Sequence, residues 1–491
     1  MRLLVAGALL LSCCSCVKKA AAQGPVPLIL DCRKPGHRIS SLIYGVAHSE
    51  RSDPRRAAPW ELGATAVRWG GNSSSRYNWE LGNAWNAGSD WFFRNVDYSG
   101  KPGPAWRRFL EANRAHGLAT AMTIPILGQV AKDATSAPPQ KTSVPAPPEM
   151  MARWVEQIRS AGGAEQYILD NEPMLWNETH RDVHPQPVGY DELLDRTLRY
   201  GSAIRRADPR AVIAGPALWG WPAYFYSAID KVEGFRSHPD RRAHGEVPLL
   251  PWYLRKLREH EKKTGERILD VVDVHFYPQG KGIGVDRSGD IDEETAARRV
   301  RSVRGLWDPS YRDESFIGEP IRLLPRLREW IDVNYPGRGI SIGEYNFGAD
   351  RHISGGLAVA EALGRFAEAG IVSAFYWTAP PRGSAAYWAF RAYRNYDGRG
   401  GRFEDTLLKT ASLDRLSLFA SLGKRRLVIV AVNARAESQS VDLQLSGCGE
   451  RATLRQFTYA GGDKGFEASS LQQPQATLPA LSISVIEVGL R

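Results

Sequence analysis

Short apolar segments alternate with amphipathic segments through most of the chain. Eight apolar runs rich in β-branched or aromatic residues lie at 42–47, 64–72, 118–125, 165–173, 211–218, 271–278, 340–348 and 372–378. Segments with the periodicity of amphipathic helices separate most of them, for example residues 104–117, 190–209 and 321–337. Buried-type strands that alternate with helices predict a parallel sheet. Eight such units favour a (β/α)8 barrel with long loops.

A doubly wound parallel sheet is the alternative fold for this pattern. That fold usually carries a glycine-rich phosphate-binding turn directly after its first strand. Residues 43–54, which include most of the first predicted strand and the segment after it, read IYGVAHSERSDP and contain no such turn. We therefore expect the barrel.

The pattern changes after Thr378 to an alternation of polar and apolar residues. Segments 416–423, 425–434, 440–447, 452–461 and 481–490 predict an antiparallel β-sandwich. Residues 26–32, VPLILDC, are also strand-like and precede the barrel, so we expect them to join the sandwich. The predicted organisation is a signal segment at 1–22, an N-terminal sandwich strand within 23–38, the barrel at 39–379 and the remaining sandwich at 380–491.

This arrangement would place Cys32 and Cys448 in the same domain. Two cysteines in an oxidising compartment favour a disulfide, and we predict one between these two residues. Two separate buried thiols are the alternative.

The first residues have the pattern of an export signal. Arg2 precedes an apolar run at residues 3–11, which is too short to span a bilayer. Ala22 before Gln23 suits a secretory peptidase, whereas residues 11–14, LSCC, resemble a loose lipoprotein box. We expect a secreted or extracytoplasmic protein, in which an N-terminal lipid would be the only membrane contact.

Composition narrows the classes of function. Apolar residues make up 43% and charged residues 24%, which is typical of a globular protein. The net charge of +10 is spread along the chain rather than collected in a basic stripe, so we expect no nucleic-acid partner. The 15 tryptophans hint at flat apolar ligands such as sugar rings, although packing in the core is the favoured interpretation for any single one.

Polar and aromatic residues end several of the predicted barrel strands, where the active site of such a barrel lies. They are Arg68, Trp69 and Asn72 on the second strand, Asn171 and Glu172 on the fourth, His275 and Tyr277 on the sixth, Glu344 on the seventh and Trp377 on the eighth. Two opposed glutamates suit cleavage of a glycosidic bond, which needs one proton donor and one ionised carboxylate.

The neighbours of the two glutamates suggest their roles. Arg68 and Tyr277 would hold Glu344 ionised as the nucleophile, which leaves Glu172 as the acid/base. The alternative is that one of the two is a structural glutamate paired with an arginine. Asp170 lies two residues before Glu172, and we expect it to be a buried hydrogen-bonding partner or a metal ligand.

Several of these segments resemble glycoside hydrolase family 44. Residues 169–185, LDNEPMLWNETHRDVHP, resemble the family's acid/base motif, and residues 68–80, RWGGNSSSRYNWE, resemble its second-strand motif. Residues 342–348 are similar to the nucleophile strand, and 39–47 and 271–278 are also similar. The resemblance implies a (β/α)8-type barrel with a β-sandwich formed from both chain ends. It also implies a retaining endo-β-1,4-glucanase with Glu172 as acid/base and Glu344 as nucleophile.

The resemblance further implies a polysaccharide substrate among cellulose derivatives, xyloglucan and mixed-linkage glucan, with mannan or xylan in some members. Asn171 would bind the sugar 2-hydroxyl and Trp377 would form the floor of the subsite where the bond breaks. We also expect substrate contacts from the remaining strand-end residues and one loop residue, namely Arg68, Trp69, Trp176, His275 and Tyr277.

We expect a monomer that requires no cofactor and has no metal in its catalytic site, while a structural ion such as Ca²⁺ is left open. Two other functions fit the same pattern: a related barrel-plus-sandwich hydrolase of xylan or arabinoxylan, and a non-catalytic glycan-binding surface lipoprotein.

Overall fold

The structure, a computed structural model, describes residues 24–48, 53, 55–284 and 290–491. The predicted signal segment at 1–22 lies outside the described residues. Within the described part of the chain, no helix is both long and apolar enough to cross a membrane.

Eight parallel strands close into a barrel in which each strand pairs with its neighbours in chain order. Each of the eight predicted apolar runs contributes one of them. Barrel strands 1 to 8 are Gly45–Ala47, Ala66–Trp69, Ala119–Ile124, Gln166–Leu169, Ile213–Leu218, Val271–Phe276, Gly339–Tyr345 and Ser373–Tyr376. They are buried along nearly their whole length, as expected for a parallel sheet that is covered by helices. The prediction of a (β/α)8 barrel is confirmed.

Helices surround the barrel. Those longer than eight residues are Ala105–Ala115, Pro148–Ser160, Tyr190–Ala207, Leu249–Thr264, Glu293–Ser302, Leu323–Asn334, Ile353–Ala369 and Ala385–Arg394. The shorter ones are Pro59–Leu62, Trp176–Thr179, Trp221–Phe225, Ala228–Val232 and Pro239–Ala243. In Ala105–Ala115, Trp106, Phe109 and Leu110 are buried while Arg107 is exposed, so one face of the helix packs on the barrel.

An apolar layer closes the lower half of the barrel interior. It consists mainly of small and aliphatic side chains from several strands, namely Ala66, Ala121, Ile168, Ala214, Val271 and Phe375. One step further along the strands the inward-facing residues become polar, as with Arg68, Asp273 and His275. The change follows from the period of two along a strand, and it confines the polar chemistry to the carboxyl ends of the strands.

The second domain is a sandwich of two sheets. The larger sheet has the order Pro35–Arg38, Thr406–Leu408, Leu416–Leu422, Arg426–Asn433, Ser482–Leu490, Arg451–Tyr459 and Glu467–Ser470. The smaller sheet consists of Val26–Asp31, Gln439–Ser446 and Gln475–Leu478. Both N-terminal strands pair with C-terminal strands, so the sandwich is formed from both ends of the chain. The disulfide between Cys32 and Cys448 is present in this domain.

The boundary between the domains lies later than residue 380. The helix Ala385–Arg394 follows barrel strand 8 and packs against the helix Ile353–Ala369, so it is the eighth helix of the barrel. The sandwich resumes at Thr406–Leu408. The predicted boundary was wrong because the change in composition after Thr378 marks the end of the last barrel strand rather than the end of the last helix.

Candidate active site

Barrel strands 4 and 7 bring two glutamates together at the carboxyl end of the barrel. A carboxylate oxygen of Glu172, one of Glu344 and a ring nitrogen of His275 all lie within 4.8 Å of one another. Glu344 is 4% exposed and Glu172 is the more accessible of the two, with 15% of its side chain exposed. The structure therefore brings the two predicted catalytic residues into one site.

Three groups surround the carboxylate of Glu344. Nη1 of Arg68 donates to Oε1 at 2.5 Å, and the Tyr277 hydroxyl donates to Oε2 at 2.7 Å. Burial alone would raise the pKa of Glu344, but the positive charges of His275 and Arg68 and these hydrogen bonds outweigh it, and the pKa lies below its usual value. Glu344 is therefore held as an anion.

His275 lies between the two glutamates. Its Nδ1 is 2.8 Å from Oε1 of Glu172 and 3.6 Å from Oε2 of Glu344. Burial alone would lower the pKa of His275, but the charge of Glu344 and the hydrogen bond to Glu172 raise it above its usual value. A cationic His275 can therefore donate to Glu172 and also attract Glu344.

Glu172 lies on a tight turn rather than on an extended strand. Asp170 and Glu172 both have positive φ, at 62° and 47°. Between them, the side chain of Asn171 accepts a hydrogen bond from Arg68 at 3.0 Å and donates one to Asn72 at 3.0 Å. The turn therefore presents Glu172 and Asn171 side by side to the space above the barrel.

A cleft with a volume of about 510 Å³ opens above these residues. Its lining combines the carboxyl pair with aromatic rings and small polar residues. The residues are His48, Trp69, Gly70, Gly71, Asn72, Ser73, Ser74, Trp85, Asp90, Trp91, Tyr98, Asn171, Glu172, Tyr277, Glu344, Trp377 and Thr378. The two carboxyl groups thus lie in a groove with aromatic walls.

The Trp377 ring packs directly against a glycine that follows barrel strand 2. Gly71 has φ +88°, and a Cβ at this position would lie 2.4 Å from Cη2 of Trp377. Only glycine adopts this backbone at little cost and leaves room for the ring. Gly71, which follows barrel strand 2, therefore leaves room for the Trp377 ring in the cleft lining.

Six of the predicted substrate-binding residues fall into two groups. Trp69, Asn171, Tyr277 and Trp377 line the cleft, whereas Arg68 and His275 are fully buried and contact the glutamates instead. The prediction of direct substrate contact was wrong for these last two residues. Both side chains pair with a glutamate, and a position at a strand end does not by itself show whether a residue pairs inward or contacts substrate.

Trp176 was also wrongly predicted to contact substrate. It is fully buried, and its Nε1 donates to the Asn171 carbonyl at 3.2 Å. Trp219 lies outside the cleft lining, with Lys231 over its ring at 5.7 Å. Sequence alone does not distinguish a stacking tryptophan from a buried one.

His48, Asp90 and Tyr98 also line the cleft but were not predicted from the sequence. His48 directly follows barrel strand 1 and stacks on Trp69 at 5.6 Å between ring centroids, so a search of that strand end for polar residues would have found it. Asp90 and Tyr98 come from the loop after barrel strand 2, whose irregular path has no periodic signal in the sequence.

The only described cluster with the spacing of a metal site is Glu172, His275 and Glu344. A cation there would compete with the guanidinium of Arg68, which already lies 2.5 Å from Glu344. The raised pKa of His275 adds a second positive charge to the same space. These contacts favour proton-transfer chemistry over metal binding.

Comparison with known proteins gives three close similarities. Endoglucanase A of Paenibacillus lautus is 30% identical over 457 residues, which cover 82% of this chain and 62% of that protein. The chain therefore spans less than two thirds of the length of that relative. CelM2, a bifunctional glucanase-xylanase from a metagenome library, superposes with a TM-score of 0.85 at 31% identity. The match covers 95% of this chain and 99% of the CelM2 chain. A Paenibacillus polymyxa family 44 xyloglucanase solved with xyloglucan superposes with a TM-score of 0.82 at 27% identity, and the match covers 95% of this chain and 100% of that protein.

A (β/α)8 barrel in which two opposed carboxyl groups meet at an aromatic-lined cleft is the arrangement of a glycoside hydrolase. The family model of glycoside hydrolase family 44 matches residues 84–142 and 134–280. Together with the similarity over nearly the whole of CelM2, this match shows that the chain belongs to glycoside hydrolase family 44.

Proposed function

We propose that the protein is a retaining endo-β-1,4-glucanase that cleaves internal bonds of β-glucans. The observation that carries this proposal is the approach of the Glu172 and Glu344 carboxylate oxygens to within 4.8 Å in an open cleft. Retaining enzymes hold their carboxyl groups about 5–5.5 Å apart, whereas inverting enzymes need about 6.5–9.5 Å to admit a water molecule. The short separation supports a direct attack by one carboxylate.

Glu344 is the nucleophile in this mechanism. Arg68, His275 and Tyr277 stabilise its anion, and Glu344 itself attacks the anomeric carbon to form a glycosyl ester. Glu172 donates its proton to the departing glycosidic oxygen in the same step. Glu172 then removes a proton from water, the resulting hydroxide displaces Glu344, and both carboxyl groups return to their starting states.

The cleft supports a polymeric β-glucan as substrate. Trp377 lines the same cleft as the carboxyl pair, where it would form the floor of the reactive subsite, and Trp91 offers a second ring in that lining. Asn171 is oriented by Arg68 and Asn72, which suits a hydrogen bond to the sugar 2-hydroxyl. We expect activity on xyloglucan, cellulose derivatives and mixed-linkage glucan.

Xylan is a second candidate substrate. The similarity to CelM2, a bifunctional glucanase-xylanase, favours it. Reducing-sugar release from xyloglucan, carboxymethylcellulose, mannan and xylan separates the candidates, and a rapid fall in viscosity during early release identifies internal cleavage. Tight binding to these polymers without any release would instead indicate a non-catalytic glycan-binding protein.

The roles of the two glutamates are tested by substitution. Glu344→Ala is expected to lose nearly all turnover and to regain part of it with azide, giving an azide product of inverted anomeric configuration. Glu172→Gln is expected to act only on substrates with good leaving groups. NMR of the first product from the wild type should show the β anomer. An initial α product, or normal polymer cleavage by either variant, contradicts the mechanism.

We also propose that the protein works outside the cytoplasm. The disulfide between Cys32 and Cys448 supports an oxidising compartment, since such bonds are rare in the cytosol. Fractionation of the native host, with mass spectrometry of the mature N-terminus, distinguishes free secretion from lipid anchoring.

A further inference from the structure

A buried carboxylate grips the turn that carries Glu172. Asp170 is fully buried at the end of barrel strand 4. Its Oδ2 accepts hydrogen bonds from the backbone N–H groups of Ile126 at 2.5 Å and Leu127 at 2.9 Å, and its Oδ1 accepts one from Asn171 at 2.8 Å. We propose that Asp170 is a positioning residue that fixes the Asn171–Glu172 turn against the end of barrel strand 3. The proposal rests on the acid/base role of Glu172 proposed above.

The turn needs such a restraint because its backbone is unfavourable. Asp170 and Glu172 both adopt left-handed φ values, which cost about 1–3 kcal/mol each in residues other than glycine. The left-handed backbone also breaks the alternation of a strand. Asp170 consequently points toward barrel strand 3 while Glu172 points to His275 and the cleft.

The backbone carbonyl of Asn171 is also held. It accepts a hydrogen bond from Nε1 of the buried Trp176, so the backbone N–H and the carbonyl of Asn171 both have buried partners. The segment that Asp170 grips is fixed in turn, because Nη1 of Arg196 donates to the carbonyls of Ile126 at 3.0 Å and Leu127 at 2.8 Å. Glu172 therefore projects from a rigid support.

The contacts of Asp170 require its ionised form. Both of its oxygens face N–H donors, so a protonated carboxyl or an amide would turn one acceptor into a donor that opposes an N–H. Burial raises the pKa of Asp170 to about 6, despite the opposing effect of these hydrogen bonds, and the ionised form still predominates at neutral pH. Asp170→Asn is consequently a substitution of equal size that disrupts the hydrogen bonds by which Asp170 holds the turn.

The expected signature of Asp170→Asn is a loss that depends on the leaving group. General acid catalysis contributes about 10²–10⁴-fold and depends on placement of the proton donor. We expect kcat/KM on xyloglucan or carboxymethylcellulose to fall about 100-fold. On 2,4-dinitrophenyl β-cellotrioside it should fall less than about 5-fold, because the departing phenolate needs no proton.

Two further variants make the test independent of folding. Asp230→Asn is the matched control, since Asp230 is also fully buried and accepts backbone N–H groups from Asp240 at 2.9 Å and Arg241 at 3.3 Å, on the loop after barrel strand 5. Asp230→Asn should leave kcat/KM on both substrates unchanged. Trp176→Phe keeps an aromatic side chain but removes the indole donor to the Asn171 carbonyl, and we expect kcat/KM to fall about 5–10-fold on the polymer alone. If circular dichroism shows that Asp170→Asn is unfolded, the result for Trp176→Phe decides whether the turn is held in position for acid catalysis.

The outcomes separate this proposal from the proposed function. A polymer-specific loss in Asp170→Asn, or in Trp176→Phe if that variant must serve, supports the positioning role. Equal losses on both substrates, or no loss on either, overturn it. Full polymer activity of Glu172→Gln would instead overturn the acid/base assignment on which the proposal depends.

Discussion

Removal of Arg68 should raise the pH at which Glu344 becomes ionised. Arg68 is fully buried, and it donates to Oε1 of Glu344 at 2.5 Å and to Oδ1 of Asn171 at 3.0 Å. Arg68→Met removes the guanidinium and keeps an unbranched side chain. Burial by itself raises the pKa of Glu344. In the variant, His275 and Tyr277 still lower this pKa, but the lowering effect of Arg68 is gone.

The size of the effect follows from one charged hydrogen bond. Such a bond contributes about 1.5–3 kcal/mol, and one pKa unit corresponds to about 1.4 kcal/mol. The acid limb of the profile of kcat/KM against pH, which reports the pKa of Glu344 in the free enzyme, should therefore move up by about 1–2 pH units. Loss of one partner from a buried ion pair should also lower the free energy of unfolding by about 3–5 kcal/mol.

The assay measures kcat/KM on 2,4-dinitrophenyl β-cellotrioside from pH 3 to pH 8. This leaving group needs no proton, so the acid limb reports Glu344 alone. Arg76→Met is the matched control, because Arg76 is equally buried but pairs with Asp182 at 2.7 Å. Arg76→Met should lower the free energy of unfolding without shifting the acid limb of the pH profile. A folded Arg68→Met protein whose acid limb stays within about 0.3 units of the wild type would refute the reasoning.

Four other predictions follow from single contacts. Tyr277→Phe removes the donor to Glu344 and should lower kcat/KM about 10-fold in steady-state kinetics, with a smaller rise of the acid limb. Asp170 has a folded pKa of about 6, above the value near 4 in an unfolded chain, so its contribution to stability is present below pH 4 and lost as the pH rises through 6. Urea unfolding of both proteins measures this effect. The free energy of unfolding of the wild type, minus that of Asp170→Asn, should fall by about 3 kcal/mol between pH 4 and pH 7. A difference that does not change with pH would contradict this prediction. Cys32→Ser should lower the free energy of unfolding of the sandwich by about 2–5 kcal/mol in calorimetry and leave kcat unchanged at 25 °C. Trp91→Ala should raise KM for long oligosaccharides about 5-fold with little change in kcat, because its ring lies along the cleft wall and is 47% exposed.

Much of the architecture could be predicted because it depends on local periodicity. A buried parallel strand is apolar throughout and its flanking helices are amphipathic, so the eight strands and the helices at 104–117, 190–209 and 321–337 are recognisable without tertiary information. The end of barrel strand 8 was recognised for the same reason. The helix Ala385–Arg394 was not assigned to the barrel, since its membership depends on packing against Ile353–Ala369.

The carboxyl pair was predictable for a related reason. In a closed parallel barrel the carboxyl ends of all strands meet at one rim, so Glu172 and Glu344 must lie at the same end whatever the loops do. Which other side chains face the sugar was not predictable. Arg68 and His275 turn inward to compensate buried charge, and Trp176 packs beneath the turn that it supports.

The sequence by itself determined the order of strands and helices, the rim at which the acids gather and the two chain ends that form the sandwich. Only the tertiary structure decided that Asp170 faces barrel strand 3, that His48 and Tyr98 enter the cleft wall, and that Trp176 is buried. The reason is physical. Periodicity reports which face of an element is apolar, whereas the partner of a polar side chain depends on distances between segments that are far apart in the chain.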